Sequence, residues 1–158
     1  MFDTIAEYGH EKIVYCYEPD VNLRAIIGVH STALGPAVGG CRMRKYATDE
    51  EALFDVMRLS RGMSLKNAAA NLGVGGGKSV IIADPFTEKT PELLIAFAEA
   101  IESLGGIYWT AEDVGMSVDD LNLICRHTKY AMGGTENPYG LGDPSLPTAY
   151  GAFLGIKA

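Results

Sequence analysis

The 158-residue sequence has little of what several function classes require. Its three cysteines, Cys16, Cys41 and Cys125, are odd in number and far apart, so no C-x-x-C pair and no zinc site is indicated. Free thiols in a reducing cytoplasm are the expectation. There is no apolar run of membrane length and no signal-peptide pattern at the start, so no membrane is expected as a partner. Positive charge is scarce: 13 Lys and Arg stand against 20 Asp and Glu, a formal net charge of -7, with no basic stripe. That balance excludes a nucleic-acid partner. Trp109 and the eight tyrosines are too scattered for a stacking platform. His10, His30 and His127 have neither metal-ligand spacing nor an adjacent nucleophile, and they read as structural or surface residues. Ser60 and Ser79 lack the G-x-S-x-G context of a nucleophile. No strand is followed by G-x-G-x-x-G, so a dinucleotide-binding fingerprint is missing as well.

What is present fits one globular domain. The apolar share of 47% and the charged share of 21% are ordinary, and 158 residues are enough for a core without staples. No repeat, linker or low-complexity tract divides the chain. Thr4 to Glu11 reads as a short helix. Lys12–Tyr17 and Leu23–His30 read as two strands joined through Glu18-Pro19-Asp20, a hairpin. Leu34–Arg44 is a glycine-rich turn running into a third strand. Thr48-Asp49-Glu50-Glu51 has capping-box spacing and opens a helix reaching about Asn71. A strand is expected over Lys78–Ala83, ended by Asp84-Pro85. A helix follows over Thr90–Leu104, with Pro91 first and Gly105-Gly106 beyond its end. Then come a strand at Ile107–Thr110, a helix from Ser117 to Cys125 and a short strand at Tyr130–Gly133. A Gly/Pro-rich loop over Glu136–Pro147 precedes a last helix over Pro147–Ala158. Sequential strands early and alternating strands and helices later predict an α/β fold, a mixed parallel and antiparallel sheet with helices on both faces in three layers.

Gly75-Gly76-Gly77-Lys78-Ser79 resembles a phosphate-binding loop only superficially. The pattern G-x-x-x-x-G-K-[ST] needs a glycine where Leu72 stands. A P-loop also leaves a strand and opens a helix, whereas these glycines follow a helical segment and feed an apolar run. Lys78 is therefore read as an ammonium at the start of a buried strand, with bare backbone ahead of it. Nucleotide hydrolysis is the weaker reading. Lys66, Lys78 and Asp113 all fall at strand or helix ends, where ligands bind in α/β sheets. Two ammonium groups near one site disfavour each other's charge, and burial adds to this. A lysine so placed can act as a base near neutral pH. The plain alternatives are a lysine complementing a helix C-terminus at Lys66, and a turn residue at Asp113 with Glu112 as an equal neighbour. Gly39-Gly40 can also be just a bend.

Five segments together carry a family resemblance: LGPAVGGCRM (34–43), LSRGMSLKNAAA (59–70), GGGKSVIIADP (75–85), TAEDVG (110–115) and DPSLPTAYGAFLGIKA (143–158). They resemble the N-terminal, substrate-binding and oligomerisation domain of the glutamate/leucine/phenylalanine/valine dehydrogenases. The resemblance implies reversible NAD-dependent oxidative deamination of an L-amino acid to a 2-oxo acid and ammonia. By motif, Lys66 would bind the substrate α-carboxylate. Lys78 would be the catalytic lysine that activates water, and Asp113 would handle the amine protons. Gly39 and Gly40 would let substrate lie against bare backbone, with Gly40, Met63 and Ala111 shaping the side-chain pocket. Ser145 and Thr148 would meet the cofactor. TAED looks like the leucine and valine members, whereas Gly40-Cys41-Arg42 and Leu146-Pro147 look like the phenylalanine members. A branched-chain, leucine-like substrate is expected first and an aromatic one second.

The family continues past a segment like Gly155–Ala158 into a Rossmann domain that binds NAD. The expectation is therefore a single substrate-binding domain over 1–158 without its NAD half. Such a chain would bind no cofactor tightly and have little activity alone, and would associate as a homo-oligomer, a dimer or higher. A non-catalytic oligomerisation or amino-acid-binding module is the competing reading.

Overall fold

A computed structural model describes residues 2–140 and 142–158. Leu141, inside the loop expected over 136–147, and Met1 lie outside the described residues. In chain order the elements are α1 (Phe2–Tyr8), β1 (Lys12–Glu18), β2 (Leu23–Ser31), β3 (Ala37–Val38), β4 (Cys41–Arg44) and α2 (Asp49–Ala69). They continue with β5 (Gly75–Ile82), α3 (Pro91–Ser103), β6 (Tyr108–Trp109), α4 (Val118–Cys125) and α5 (Ser145–Lys157). The strands form one sheet in the order β1-β2-β5-β3-β6, with β4 also on β5. β1/β2 and β2/β5 are antiparallel, and β3 and β4 run parallel to β5. The mixed sheet expected from the sequence is what forms.

Alternation along the strands produces the three layers. Ile26 and Val80 face one side, where they pack with Ala52, Val56 and Met57 of α2. Ala25, Ile27 and Ile81 face the other, against Leu93, Phe97 and Ile101 of α3 and Leu121 and Ile124 of α4. Local capping fixes the helix starts. Thr48 Oγ1 accepts from Glu51 N at 3.1 Å, Thr90 from Leu93 N at 3.2 Å, and Ser117 makes a reciprocal box with Asp120. At α2 the return bond goes one residue further back, from Ala47 N to Glu51.

α1, β6 and α5 shift by one to three residues at their ends from the sequence reading, and three differences are larger. The expected third strand is two short strands, β3 and β4, interrupted at Gly39-Gly40. The segment 130–133 is not a strand but contributes one isolated bridge, Thr110 to Ala131. β5 starts at Gly75 rather than Lys78, so Lys78 lies in mid-strand, paired with Gly28. Steric fit explains the glycines. A Cβ on Gly75 would strike Ser31 O, one on Gly76 the backbone of Ser64 in α2, and one on Gly77 the Tyr108 ring at 2.7 Å.

α1 and the end of β2 close over α2 through a histidine pair. His10 Nε2 lies 2.6 Å from Ser60 Oγ and His30 Nδ1 lies 2.7 Å from Ser64 Oγ, with the rings 5.0 Å apart. His10 is buried, and its Nδ1 has no hydrogen-bond partner among the described residues. Burial, then the neighbouring His30, lowers the His10 pKa from 6.5 to about 4. An unfolded chain takes up a proton below pH 6.5 that the native imidazole refuses. The stabilisation is therefore complete above pH 6.5 and is lost as pH falls towards 4, amounting to up to about 3 kcal/mol. Urea unfolding of wild type and His10→Gln between pH 7.5 and 4.5 checks this. The wild type should lose the larger share of its stability, and parallel losses would refute the assignment.

Candidate functional site

Helix α2, strand β5 and the loop after β6 converge at one end of the sheet. α2 is drawn close because β5 is glycine where they cross, and Asn67 locks the crossing: its Nδ2 donates to Gly75 O at 2.6 Å. This sets the last turn of α2, and with it Lys66, at the mouth of a cleft of about 1010 Å³. The loop after β6 is fixed by a backbone ladder. Gly39 N donates to Trp109 O at 3.1 Å, Cys41 N to Ala111 O at 2.8 Å, and Met43 N to Val114 O at 2.9 Å. Asp113 is thereby held beside β4 and β5.

Lys78 and Asp113, named from separate motifs, meet directly. Lys78 Nζ donates to Asp113 Oδ2 at 2.8 Å, and the lysine side chain is 7% exposed. Burial pushes the Asp113 carboxyl up, but the Lys78 ammonium and then the Arg42 guanidinium outweigh it and hold it below the ordinary carboxylate range. Asp113 lines the cleft together with Lys66, Ser145 and Thr148. Lys66 is exposed there, while Lys78 lies behind Asp113, buried. Glu112 and Asp113 are no longer equal alternatives. The Glu112 carboxylate also lines the cleft but accepts from Gly134 N, whereas Asp113 accepts from the lysine.

Of the remaining residues named from sequence, Ser145 and Thr148 line the cleft, whereas Gly39, Gly40, Met63 and Ala111 are not among the residues lining it. A Cβ at Gly40 would strike Glu112 O and approach Asp113 Cβ at 3.1 Å, and one at Gly39 would strike Gly77 O. Both glycines thus admit neighbouring backbone. Met63 is half-buried on α2, 3.1 Å from where a Gly39 Cβ would lie. Ala111 is half-buried and accepts from Cys41 N. Ser145 opens α5 with its hydroxyl donating to Asp143 at 2.6 Å, and Thr148 is exposed one turn on.

Several residues that build the site carry no motif of their own. Arg42 donates from Nε to Asp113 Oδ2 and from Nη1 to Asp55 Oδ2, both at 3.0 Å. Tyr108, fully buried, donates to Gly39 O at 2.6 Å and lies 2.9 Å from Ser79 Oγ. Asn67 was visible only as the residue after Lys66. Asp113 lies 71 residues from Arg42 and Gly39 lies 69 from Tyr108, beyond any local pattern. Cys41 is fully buried, and burial pushes its thiol up to about 12, so it is inert at neutral pH.

For a nicotinamide cofactor the described residues offer a partial fit. The cleft rim presents Ser145 and Thr148. Among the described residues, no strand runs through G-x-G-x-x-G into a helix to cradle a pyrophosphate. No helix of the described residues is long and apolar enough to cross a membrane, and no group of three or more metal-ligating side chains forms among them.

Comparison with known proteins agrees with this fold. Residues 10–130 match the family described as Glu/Leu/Phe/Val dehydrogenase, dimerisation domain. The chain is 51% identical over 158 residues to a phenylalanine dehydrogenase of Bacillus thermotolerans, covering all of this chain and 41% of that protein. It is 47% identical over the same length to a leucine dehydrogenase of Thermoactinomyces intermedius, of which it covers 43%. Among solved structures, an L-tryptophan dehydrogenase from Nostoc punctiforme superposes with a TM-score of 0.83 at 43% identity, covering 99% of this chain and 43% of that one. A mixed sheet of this topology, covered by helices, is the fold of the N-terminal domain of amino-acid dehydrogenases. The chain belongs to the Glu/Leu/Phe/Val dehydrogenase family. It spans less than half the length of these relatives.

Proposed function

We propose that this chain is the substrate-binding and catalytic-residue half of an NAD-dependent L-amino-acid dehydrogenase, with the NAD-binding half supplied by a further domain. The observation that carries the reading is the Lys78–Asp113 pair beneath a cleft whose mouth holds Lys66. Lys66 is the single cation lining that cleft among the described residues, and it takes the substrate α-carboxylate. A second, side-chain carboxylate would meet Glu112, Asp113, Asp119 and Asp143 instead, which argues for an apolar side chain over a glutamate-like one. A leucine-like substrate ranks first, on the Thr110-Ala111-Glu112-Asp113 segment, and a phenylalanine-like one second, the two separated by pocket differences worth only ~1–3 kcal/mol.

NAD, when bound, accepts the hydride that leaves Cα. Ser145 and Thr148, which line the cleft, are the residues we assign to contact with that cofactor. With the imine formed, Lys78 in its neutral form takes a proton from the water that attacks the imine carbon. Asp113, ionised beside its two cations, first accepts a proton from the substrate ammonium and later returns it to the carbinolamine nitrogen. Loss of the hydroxyl proton to the same carboxylate then expels ammonia and leaves the 2-oxo acid. Burial of Lys78 keeps its proton exchange confined to Asp113 and substrate. The chain self-associates as a dimer or larger assembly, a reading supported by the description of the matched family and checked by sedimentation velocity.

Two measurements test the reading. Calorimetry of the chain with leucine, phenylalanine and their 2-oxo acids should show binding that Lys66→Ala weakens about 10- to 100-fold, the range for losing a bond to a charged group. Unchanged affinity would remove Lys66 from the site. Joining the chain to the NAD-binding domain of a relative should then give NAD-dependent turnover. Turnover at ordinary dehydrogenase rates by the chain alone would overturn the half-enzyme reading.

A further inference from the structure

Asp113 Oδ2 accepts from two cations at once, Lys78 Nζ at 2.8 Å and Arg42 Nε at 3.0 Å. Both come from neighbouring strands, β5 and β4, whose register puts Arg42 beside Val80. The two cations differ chemically. A lysine can release its proton within a catalytic cycle, whereas a guanidinium stays charged throughout. Arg42 is also immobilised from behind. Its Nη1 donates to Asp55 Oδ2, and Asp55 in turn accepts from Tyr46 Oη at 2.9 Å and Arg58 Nη2 at 2.9 Å. The Arg42 and Asp55 side chains are 17% and 12% exposed. A network of this kind, anchored in α2, directs one fixed donor at the carboxylate.

We infer that Arg42 is a positioning residue that keeps Asp113 ionised and oriented while Lys78 is neutral. The inference rests on the deamination reading for its purpose, but the coupling it asserts is a property of the chain itself. Deprotonating Lys78 to attack with water removes the nearer counter-charge of Asp113. Without Arg42 the carboxylate, largely buried, would then be driven towards its neutral acid by desolvation and could no longer accept the amine proton. Other charges around Asp113 do not replace it. Glu112 is engaged by Gly134 N, and Asp119 and Asp143 on the cleft wall are anionic. Lys66 shares the cleft but makes no ion pair with Asp113. Cys41 and Tyr108, the buried titratable groups nearby, are both pushed up and stay neutral.

Carbon-13 NMR titration of the Asp113 side-chain carboxyl in the 158-residue chain tests this, with Asp113→Asn assigning the signal. Lys78→Met stands in for the neutral lysine. In that variant the midpoint should remain below the ordinary aspartate value. Adding Arg42→Met should raise it by at least about one pH unit, and Arg42→Lys in the same background should recover part of the shift. Equal midpoints with and without Arg42 would overturn the inference. If methionine at 42 unfolds the chain, Arg42→Gln removes the charge while keeping a donor, with the same two outcomes. The titration uses neither substrate nor NAD. Failure of the dehydrogenase reading would appear separately, as absent oxo-acid binding, and would strip the coupling of its proposed role.

Discussion

Replacing Lys78 by methionine, in this chain joined to an NAD-binding domain, is expected to lower amino-acid turnover by about 10²- to 10⁴-fold, the range for losing a positioned general base. The Michaelis constant should change far less, because the proposed carboxylate-binding residue is Lys66, which lines the cleft, and not the buried Lys78. Methionine nearly matches the volume of the lysine stem, so the mid-strand site in β5 remains filled. Asp113 is not left uncompensated either, since Arg42 still donates to the same oxygen at 3.0 Å. Breaking a buried pair usually destabilises by leaving one charge alone; here that penalty is softened. The expected signature is a large loss of rate with a small loss of melting temperature. Steady-state kinetics and thermal unfolding on one preparation measure both, and a variant keeping more than about a tenth of wild-type turnover would rule Lys78 out as the base. Lys66→Ala gives the opposite pattern, a binding defect. Together the two substitutions separate the roles.

Parts of this architecture follow from rules a few residues long. Thr48, Thr90 and Ser117 declare helix starts because capping is local, and all three accept the expected backbone donor. The β1–β2 hairpin follows from β-propensity and a Pro-Asp turn. The lysine–aspartate site was accessible only as a set of motifs, since nothing local in Thr110–Gly115 says which lysine will meet Asp113. What the sequence hides is long-range. Arg42 looked like the residue after a bend, and its worth comes from two carboxylates in different elements. His10 and His30 looked unrelated until folding stacked them over the serines of α2. The β5 glycines were misread for a different reason. Glycine is depleted in strands, so propensity starts the strand at Lys78, whereas close packing from Ser31, Ser64 and Tyr108 requires glycine within the strand itself.

That close packing yields the second large effect. Gly76→Ala is expected to destabilise the chain by about 3 kcal/mol or more, at or beyond the upper end of ordinary overpacking. The new methyl would strike the backbone N of Ser64 and lie 2.5 Å from its Cα, so no rotamer change can relieve it. Helix α2 or strand β5 must move. The entropic benefit of replacing glycine by alanine, about 0.4–1 kcal/mol, is too small to compensate. Gly62 supplies the contrast. It lies on the exposed face of the same helix, a Cβ there would meet nothing within 4 Å, and Gly62→Ala should stabilise α2 by up to about 1 kcal/mol. At this size, 3 kcal/mol corresponds to a melting temperature lower by roughly 6–12 °C, and the Gly62 change to a rise of a few degrees. Lys66 follows Ser64 by two residues in α2, so displacement of the helix also moves the ammonium proposed to bind the carboxylate relative to Asp113. Gly76→Ala should therefore weaken oxo-acid binding even at temperatures where the chain stays folded. Unimpaired stability together with unimpaired binding would show that α2 is not held against β5 as described.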